Sequence, residues 1–360
     1  MATLGPQDLP TMALDERSSD SFIQLAQRST EIQRQRMTAF PDNKRFAFSI
    51  FDDTDLSTVE NVGPVYKLLD EIGIRTTKSV WPLASSSNGR FGGASLQDPD
   101  YLKFVLGLKE SGFEIALHNV RNMCSTREQV QAGLEEFRRL LGFYPRVHAN
   151  HSHNRENIYW GPARFSRIAR LYRAMTMFRR LSFEGHIQES KYFWGDLCRA
   201  HFDYVRNFVF REINLNRVNP TMPYHDPERP FVNAWFSSSD GHDVQAFCEL
   251  LREVNQDRLE EEQGVCIVYT HFACGFVSMG AVHPRVDFLL RRLARKDGWF
   301  TPVSTLLDFL RKRPLVKVIS ITERSALERR WLSDRLVDVV FRGIRKPSPH
   351  VEPATRRRHL

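Results

Sequence analysis

Residues 45–55 read Arg-Phe-Ala-Phe-Ser-Ile-Phe-Asp-Asp-Thr-Asp, an apolar run that ends abruptly in three acids. The run predicts a buried strand, because it is rich in aromatic and β-branched residues. Apolar residues at helical spacing over 59–72, followed by Gly73, predict a helix and its end. The segment 74–80 again predicts a strand. This order of strand, helix and strand is typical of a parallel α/β sheet.

The same alternation continues to about residue 310. Further strands are predicted at 113–117, 144–149, 204–213, 231–236 and 265–269, and further helices at 100–111, 126–141, 244–259, 284–295 and 303–310. The polar stretch 237–241 is predicted to be a loop. Strands that alternate with helices in this way indicate a parallel sheet, either open or closed into a barrel.

The basic charge of the chain is concentrated at its end. The 360 residues carry a net charge of +8, and residues 311–360 contain 14 Lys or Arg against 5 Asp or Glu. No nucleic-acid-binding motif lies beside this basic segment, so we expect no nucleic-acid partner. We therefore divide the chain into a polar leader, 1–44, a main domain, 45–310, and a basic segment, 311–360.

The basic segment also contains an amphipathic pattern. Apolar residues recur at helical spacing with arginines largely between them: Leu327, Trp331, Leu332, Leu336, Val340 and Ile344. Such a helix either packs on the main domain or lies on an anionic membrane surface. We favour packing, because most amphipathic helices of globular chains pack in this way.

Other features of composition bear on the compartment. No apolar run approaches the roughly 20 residues that cross a bilayer. Residues 1–27 have no basic start followed by an apolar stretch, so we expect no signal peptide. The five cysteines form no Cys-x-x-Cys pair and are odd in number, which argues against a disulfide framework. We expect a cytoplasmic protein.

Acids and histidines follow directly after four of the predicted strands. They are Asp52, Asp53, His118, His151 and His271. Taken singly, an Asp at such a place often caps a helix, and a His is often a core residue. Because the carboxyl ends of parallel strands meet on one face of a barrel, however, we expect all five side chains to share one site. Imidazole and carboxylate together suit zinc and similar divalent metals.

Three of these places carry a family resemblance. Residues 48–53, Phe-Ser-Ile-Phe-Asp-Asp, resemble the first motif of the polysaccharide deacetylase (NodB-homology) family, in which an Asp-Asp pair ends the first barrel strand. Residues 112–118, Gly-Phe-Glu-Ile-Ala-Leu-His, resemble the second motif, and residues 268–271, Val-Tyr-Thr-His, resemble the last. The resemblance implies an irregular (β/α)7 barrel over roughly 46–310.

The resemblance also implies roles for the site residues. Asp52 would be the catalytic base, Asp53 and His118 would bind the metal, and His271 would protonate the leaving group. The second motif of the family usually has another histidine four residues after the first, and Asn122 stands there in this chain.

A histidine-rich loop replaces the third motif of the family. The loop, 148–154, reads His-Ala-Asn-His-Ser-His-Asn, and we infer that His151, or else His153, supplies the missing metal ligand. We expect His153 and Asn154 to contact the substrate as well. Asp240 follows another predicted strand, and it either orients a catalytic histidine beside the substrate or belongs to a polar turn.

The function implied by the resemblance is hydrolysis. We expect a divalent metal, zinc first, and a carbohydrate substrate, from which the enzyme removes an N-acetyl group or cleaves a related non-peptide C–N bond in surface-glycan metabolism. The alternative is a barrel whose metal site has decayed and which binds or assembles glycans.

Overall fold

The computed structural model describes residues 40–85, 92–151, 153–175, 182–311 and 316–344, of which 173–175 and 337–344 are described by their backbone alone. The chain divides into two units, 1–44 and 45–360. The described part of the first unit contains one 3-10 turn, Pro41–Asn43. The rest of the predicted leader lies outside the described residues, so the architecture below is that of the second unit.

Seven parallel strands form a closed barrel. They belong to the twelve strands in the described residues, which are β1 Phe46–Asp52, β2 Thr77–Val80, β3 Glu114–Leu117, β4 Val147–His148, β5 Tyr204–Phe210, β6 Tyr224–His225, β7 Ala234–Asp240, β8 Val265–Thr270, β9 Val277–Ser278, β10 Ala281–Val282, β11 Gly298–Phe300 and β12 Lys317–Val318. The seven strands of the barrel are β1, β2, β3, β4, β5, β7 and β8. The parallel pairing runs β1-β2-β3-β4-β5-β7-β8 and returns from β8 to β1. The predicted seven-stranded barrel is confirmed by this pairing.

Strand β1 closes the barrel by pairing with β8, and all seven of its residues are buried. It pairs with β8 from Ala47 to Asp52 along one edge. Its other edge is shared, because β11 pairs with its first residues and β2 with its last. This shared edge makes the barrel irregular.

Helices connect the strands around the barrel. They are α1 Val59–Glu71, α2 Pro99–Glu110, α3 Arg127–Leu141, α4 Ala169–Met175, α5 Gly195–His201, α6 Val244–Leu250, α7 Glu253–Glu261, α8 Pro284–Ala294, α9 Val303–Arg311 and α10 Ile321–Ile344, with short 3-10 turns at Gly161–Arg164 and Leu215–Arg217. The single helix predicted over 244–259 is in fact α6 and α7. The chain turns between them at Leu251, which is buried, and no Gly or Pro marks this turn in the sequence.

Strand β7 differs most from its prediction. It begins three residues later than expected and continues through three serines that were predicted to lie in a loop, 237–239. All three serines are buried, and the strand pairs with β5 on one side and β8 on the other. Pairing on both edges outweighs the weak strand propensity of serine.

Helix α10 packs on the domain. Leu327 and Trp331 are 3% and 7% exposed, and the Trp331 ring lies 5.0 Å from that of Phe165. The buried carboxylate of Glu328 accepts backbone hydrogen bonds just before α4. None of the helices described is long and apolar enough to cross a membrane.

Candidate active site

Three histidines surround the carboxylate of Asp55. His151 Nε2 lies 2.8 Å from Asp55 Oδ1, while His118 Nε2 and His271 Nε2 lie 3.3 and 3.1 Å from Oδ2. The four residues follow β4, β1, β3 and β8, so the parallel barrel brings their strand ends to one face. The structure therefore brings together the three histidines that the sequence predicted for the site.

The other nitrogen of each imidazole is held by an oxygen atom. Nδ1 contacts the Ala149 carbonyl in His118 at 3.0 Å, the Asn154 side-chain oxygen in His151 at 3.0 Å and the His242 carbonyl in His271 at 2.7 Å. Because these oxygens accept hydrogen bonds, each Nδ1 carries a proton. Each Nε2 is thereby directed at Asp55, as in histidines that bind metals.

The donor set fits a divalent cation. One ligand atom each from Asp55, His118 and His151 lie within 4.8 Å of one another. Asp55 Oδ1 is buried and faces His151 Nε2 at 2.8 Å, so both atoms are placed to bind the same cation. Two imidazole nitrogens and a carboxylate oxygen form the three-ligand set of catalytic zinc sites, which leaves a position for water or substrate.

Asp53 lies beside this group but has a different partner. Arg206 of β5 donates to both of its oxygens, at 2.9 and 2.6 Å, and both side chains are buried. Burial acts to raise the pKa of the Asp53 carboxyl, but the guanidinium outweighs it and holds the pKa below its usual value. Asp53 Oδ2 is still 3.7 Å from His118 Nε2. Asp53 is therefore paired with a guanidinium, whereas the ion-pair partners of Asp55 among the described residues are the three imidazoles.

A second group of possible metal ligands consists of Asp53, Asp55 and His271. Asp52, predicted as the catalytic base, belongs to neither group. Its carboxylate contacts Lys78 Nζ at 2.8 Å and the hydroxyl of Tyr66, which is on α1. Successive side chains of a strand point to opposite faces, so Asp52 and Asp53 cannot both face the barrel interior. The structure places Asp53 and Asp55 beside the histidines, whereas the Asp52 carboxylate lies with Lys78 and Tyr66.

His271 is the most basic group of the site. Burial acts to lower the pKa of its imidazole, but the carboxylates of Asp55 and Asp53 raise this pKa to about 9. The side chain is 16% exposed, more than those of His118 and His151. His271 is therefore an imidazolium at neutral pH and lies at the more open side of the group.

The three residues predicted to contact substrate differ in their exposure and in their partners. His153 is exposed and is not among the possible metal ligands, whereas Asn154 is buried and holds His151. Asp240 accepts a hydrogen bond from His242 Nδ1 at 2.8 Å and does not contact His271 directly. Asn122, at the place of the missing family ligand, hydrogen-bonds Ser85 instead.

Two residues of the site were missed in the sequence. Asp55 is the last acid of the quoted run 45–55, and only its place on the loop after β1 brings it to the histidines. Arg206 is a charged residue inside an apolar strand, and a buried arginine normally requires a buried anion. That signal could have predicted a partner for one of the acids.

Comparison with known proteins gives similarity in structure but not in sequence. No protein-family model and no curated protein sequence matches the chain. Among solved structures, a protein of Mycobacterium smegmatis assigned as a polysaccharide deacetylase is 13% identical, with a TM-score of 0.46 over 78% of this chain and 95% of that one. The Puue allantoinase is 14% identical, with a TM-score of 0.45 over 76% and 93%. The Bacillus subtilis peptidoglycan deacetylase PdaC is 11% identical, with a TM-score of 0.37 over 81% and 99%.

Two of these structures are named as deacetylases. The motifs at 48–53, 112–118 and 268–271 resemble those of the polysaccharide deacetylase family. The barrel that this resemblance implies is present in the strand pairing of the chain itself. The chain thus has a barrel of the kind that the resemblance implies, and Asp55, which the resemblance did not identify, lies among its strand-end histidines.

Proposed function

We propose that this chain is a metal-dependent hydrolase that removes an acyl group from the nitrogen of an N-acetylated sugar or cleaves a related non-peptide C–N bond. The observation that carries the proposal is the convergence of three Nε2 atoms on Asp55, each with its Nδ1 held by an oxygen. We assign Asp55, His118 and His151 as ligands of one divalent cation, with zinc as the first candidate because its preferred ligands match this set.

The two neighbouring groups supply the proton transfers. A divalent cation, when bound, lowers the pKa of a coordinated water and stabilises negative charge on an acyl oxygen. Asp53, kept ionised and oriented by Arg206, takes the proton of the attacking water. His271, an imidazolium at neutral pH, gives its proton to the departing amine nitrogen. Asp53 starts charged and His271 starts protonated, so the two residues have opposite tasks.

The experiment measures metal content and acetate release separately. We expect His118→Ala and His151→Ala to lose bound zinc, because each removes one of three ligands. Asp53→Asn should keep zinc and lose about 10²- to 10⁴-fold in turnover, the usual contribution of a general base. His153→Ala is the matched control for metal content, since this exposed histidine is two residues from His151 and should keep zinc.

The alternative function, a glycan-binding or assembly module, gives a different outcome. In that case the native protein would bind sugar without retaining zinc or cobalt, and no acetate or ammonia would appear from a panel of N-acetylated sugars. Metal loss from His153→Ala together with retention in His151→Ala would instead exchange the roles of these two histidines.

A further inference from the structure

The site rests on a buried ion pair that takes no part in the proposed chemistry. Asp52 and Lys78 are both fully buried, and their charged atoms lie 2.8 Å apart. They are register partners on the neighbouring strands β1 and β2. Replacing a buried ion pair by apolar residues is often neutral or stabilising, because desolvation cancels most of the attraction. The pair therefore requires a reason other than stability.

The other contacts of the pair supply that reason. Asp52 Oδ1 accepts a hydrogen bond from the backbone N–H of Phe272 at 2.8 Å. Lys78 Nζ donates to Ser57 Oγ at 3.1 Å. Tyr66 of α1 donates its hydroxyl to Asp52 Oδ2 at 3.0 Å. One ion pair thus joins β1 and β2 to the loop after β1, to the segment after β8 and to α1.

Two of these contacts lie directly next to the site. Phe272 follows His271, so fixing its N–H fixes the peptide that leaves His271. Ser57 is two residues after Asp55, and Asp52 immediately precedes Asp53. The pair therefore holds both ends of the short loop, 53–57, that carries the two site carboxylates.

We infer that the Asp52–Lys78 pair is a positioning device, which holds the loop 53–57 and the backbone at His271 in the geometry that the metal and the proton transfers need. The inference rests on the proposed function for its purpose. Reactive groups must be held within about 0.5 Å of their productive positions, and buried polar contacts behind them provide this precision. Asp52 and Lys78 are positioning residues and touch no substrate.

The test replaces both charges at once, so that neither is left buried alone. The double variant Asp52→Asn with Lys78→Met is compared with Asp226→Asn with Arg229→Met, a second buried ion pair. The other side-chain contacts of this second pair are with Ala163, Ser166, Glu228 and Arg324. Circular dichroism first verifies that each variant is folded. Titration with Co²⁺ alone, followed by visible absorption, then measures affinity and ligand geometry.

We expect the Asp52/Lys78 double variant to bind Co²⁺ about tenfold or more weakly with an altered spectrum, as is usual when groups behind metal ligands are removed. Hydrogen exchange of the metal-free protein should become faster in peptides covering 53–57 and 271–274. The control pair should change neither measurement. A folded double variant with native Co²⁺ affinity, spectrum and exchange would overturn the inference.

Two further measurements test the inference if the double variant does not fold or if the native protein binds no Co²⁺. If the double variant does not fold, Ser57→Ala removes one contact of Lys78 while keeping the ion pair, and the same faster exchange is expected over 53–57. Unchanged exchange in that variant would overturn the inference. If the native protein itself binds no Co²⁺, the proposed function fails, and hydrogen exchange alone decides whether the pair holds the two segments.

Discussion

Asp53 and Asp55 are two residues apart, yet they meet opposite kinds of partner. Asp53 faces the guanidinium of Arg206, which is charged at every physiological pH. Asp55 faces three imidazoles, whose charge depends on pH. Burial acts against ionisation of Asp55, but these imidazoles hold the pKa of its carboxyl well below the usual value. A metal cation can therefore take the place of protons on the imidazoles beside Asp55. Asp53, in contrast, stays paired with Arg206.

The imidazolium of His271 makes the metal-free protein sensitive to pH. Its folded pKa of about 9 lies above the ordinary value of 6.5, so its stabilising contribution is complete below pH 6.5 and is lost as pH rises through 9. The difference corresponds to about 3 kcal/mol in the free energy of unfolding. We expect urea titrations of the metal-free native protein to show this loss between pH 6.5 and 9.5.

The control for this prediction is a pair of variants. His271→Gln should show a flatter dependence over the same range, while the exposed His153→Gln should follow the native protein. Parallel curves for native protein and His271→Gln would mean that Asp55 does not hold the proton on His271.

At the scale of elements, apolar strands were predictable and polar ones were not. Strands β1 and β8 are apolar runs, so both strands could be predicted, together with Asp53 and His271, which follow them and lie at the site. Strand β7 contains three serines, and only its two neighbours in the barrel make it a strand. Its extent could not be predicted, because it depends on pairing with residues distant in the sequence.

The loop after β1 explains why Asp55 was missed. The carbonyl of Thr54 accepts a hydrogen bond from the N–H of Ser57, and Leu56 adopts a left-handed φ of 60°. Such a conformation is normally marked by Gly or Asn, and a leucine gives no such signal. The turn directs Asp55 at the histidines, and its direction could not be read from the order of the residues.

Helix α10 is attached by a charged contact as well as by apolar packing. The buried carboxylate of Glu328 accepts the N–H groups of residues 166, 167 and 168, at 2.7, 3.0 and 3.3 Å. Hydrogen bonds to a charged group contribute about 1.5–3 kcal/mol each, and their buried donors would lose their acceptor. We expect Glu328→Ala to lower the free energy of unfolding by about 3 kcal/mol in urea titrations.

Arg329→Ala is the matched control for Glu328, because Arg329 is the next residue of the same helix and is exposed. It should change the free energy of unfolding by less than about 0.5 kcal/mol. If Glu328→Ala changed the free energy of unfolding as little as Arg329→Ala, the helix would be held by its apolar residues alone.

At the scale of the whole molecule, the basic segment contains two parts that truncation can separate, namely helix α10 and residues 345–360. Residues 345–360 carry five Lys or Arg and one Glu and lie outside the described residues. Helix α10 buries Leu327 and Trp331, and each such side chain contributes about 1.5–3 kcal/mol. The three backbone hydrogen bonds to Glu328 add to this packing. The helix therefore belongs to the folded domain, which was the alternative favoured from the sequence.

Two truncations test this division. A chain ending at 344 should keep the native melting temperature and acetate release, because it retains α10. A chain ending at 320 should aggregate or unfold, because the surface that accepts Leu327, Glu328 and Trp331 would be exposed to water. Sedimentation with vesicles containing phosphatidylserine measures the membrane alternative on the same three proteins. The chain ending at 320 could instead stay folded and active and no longer bind vesicles that the full chain binds. In that case α10 would be a helix that lies on the membrane surface, and its packing on the domain would be one of two positions of the helix.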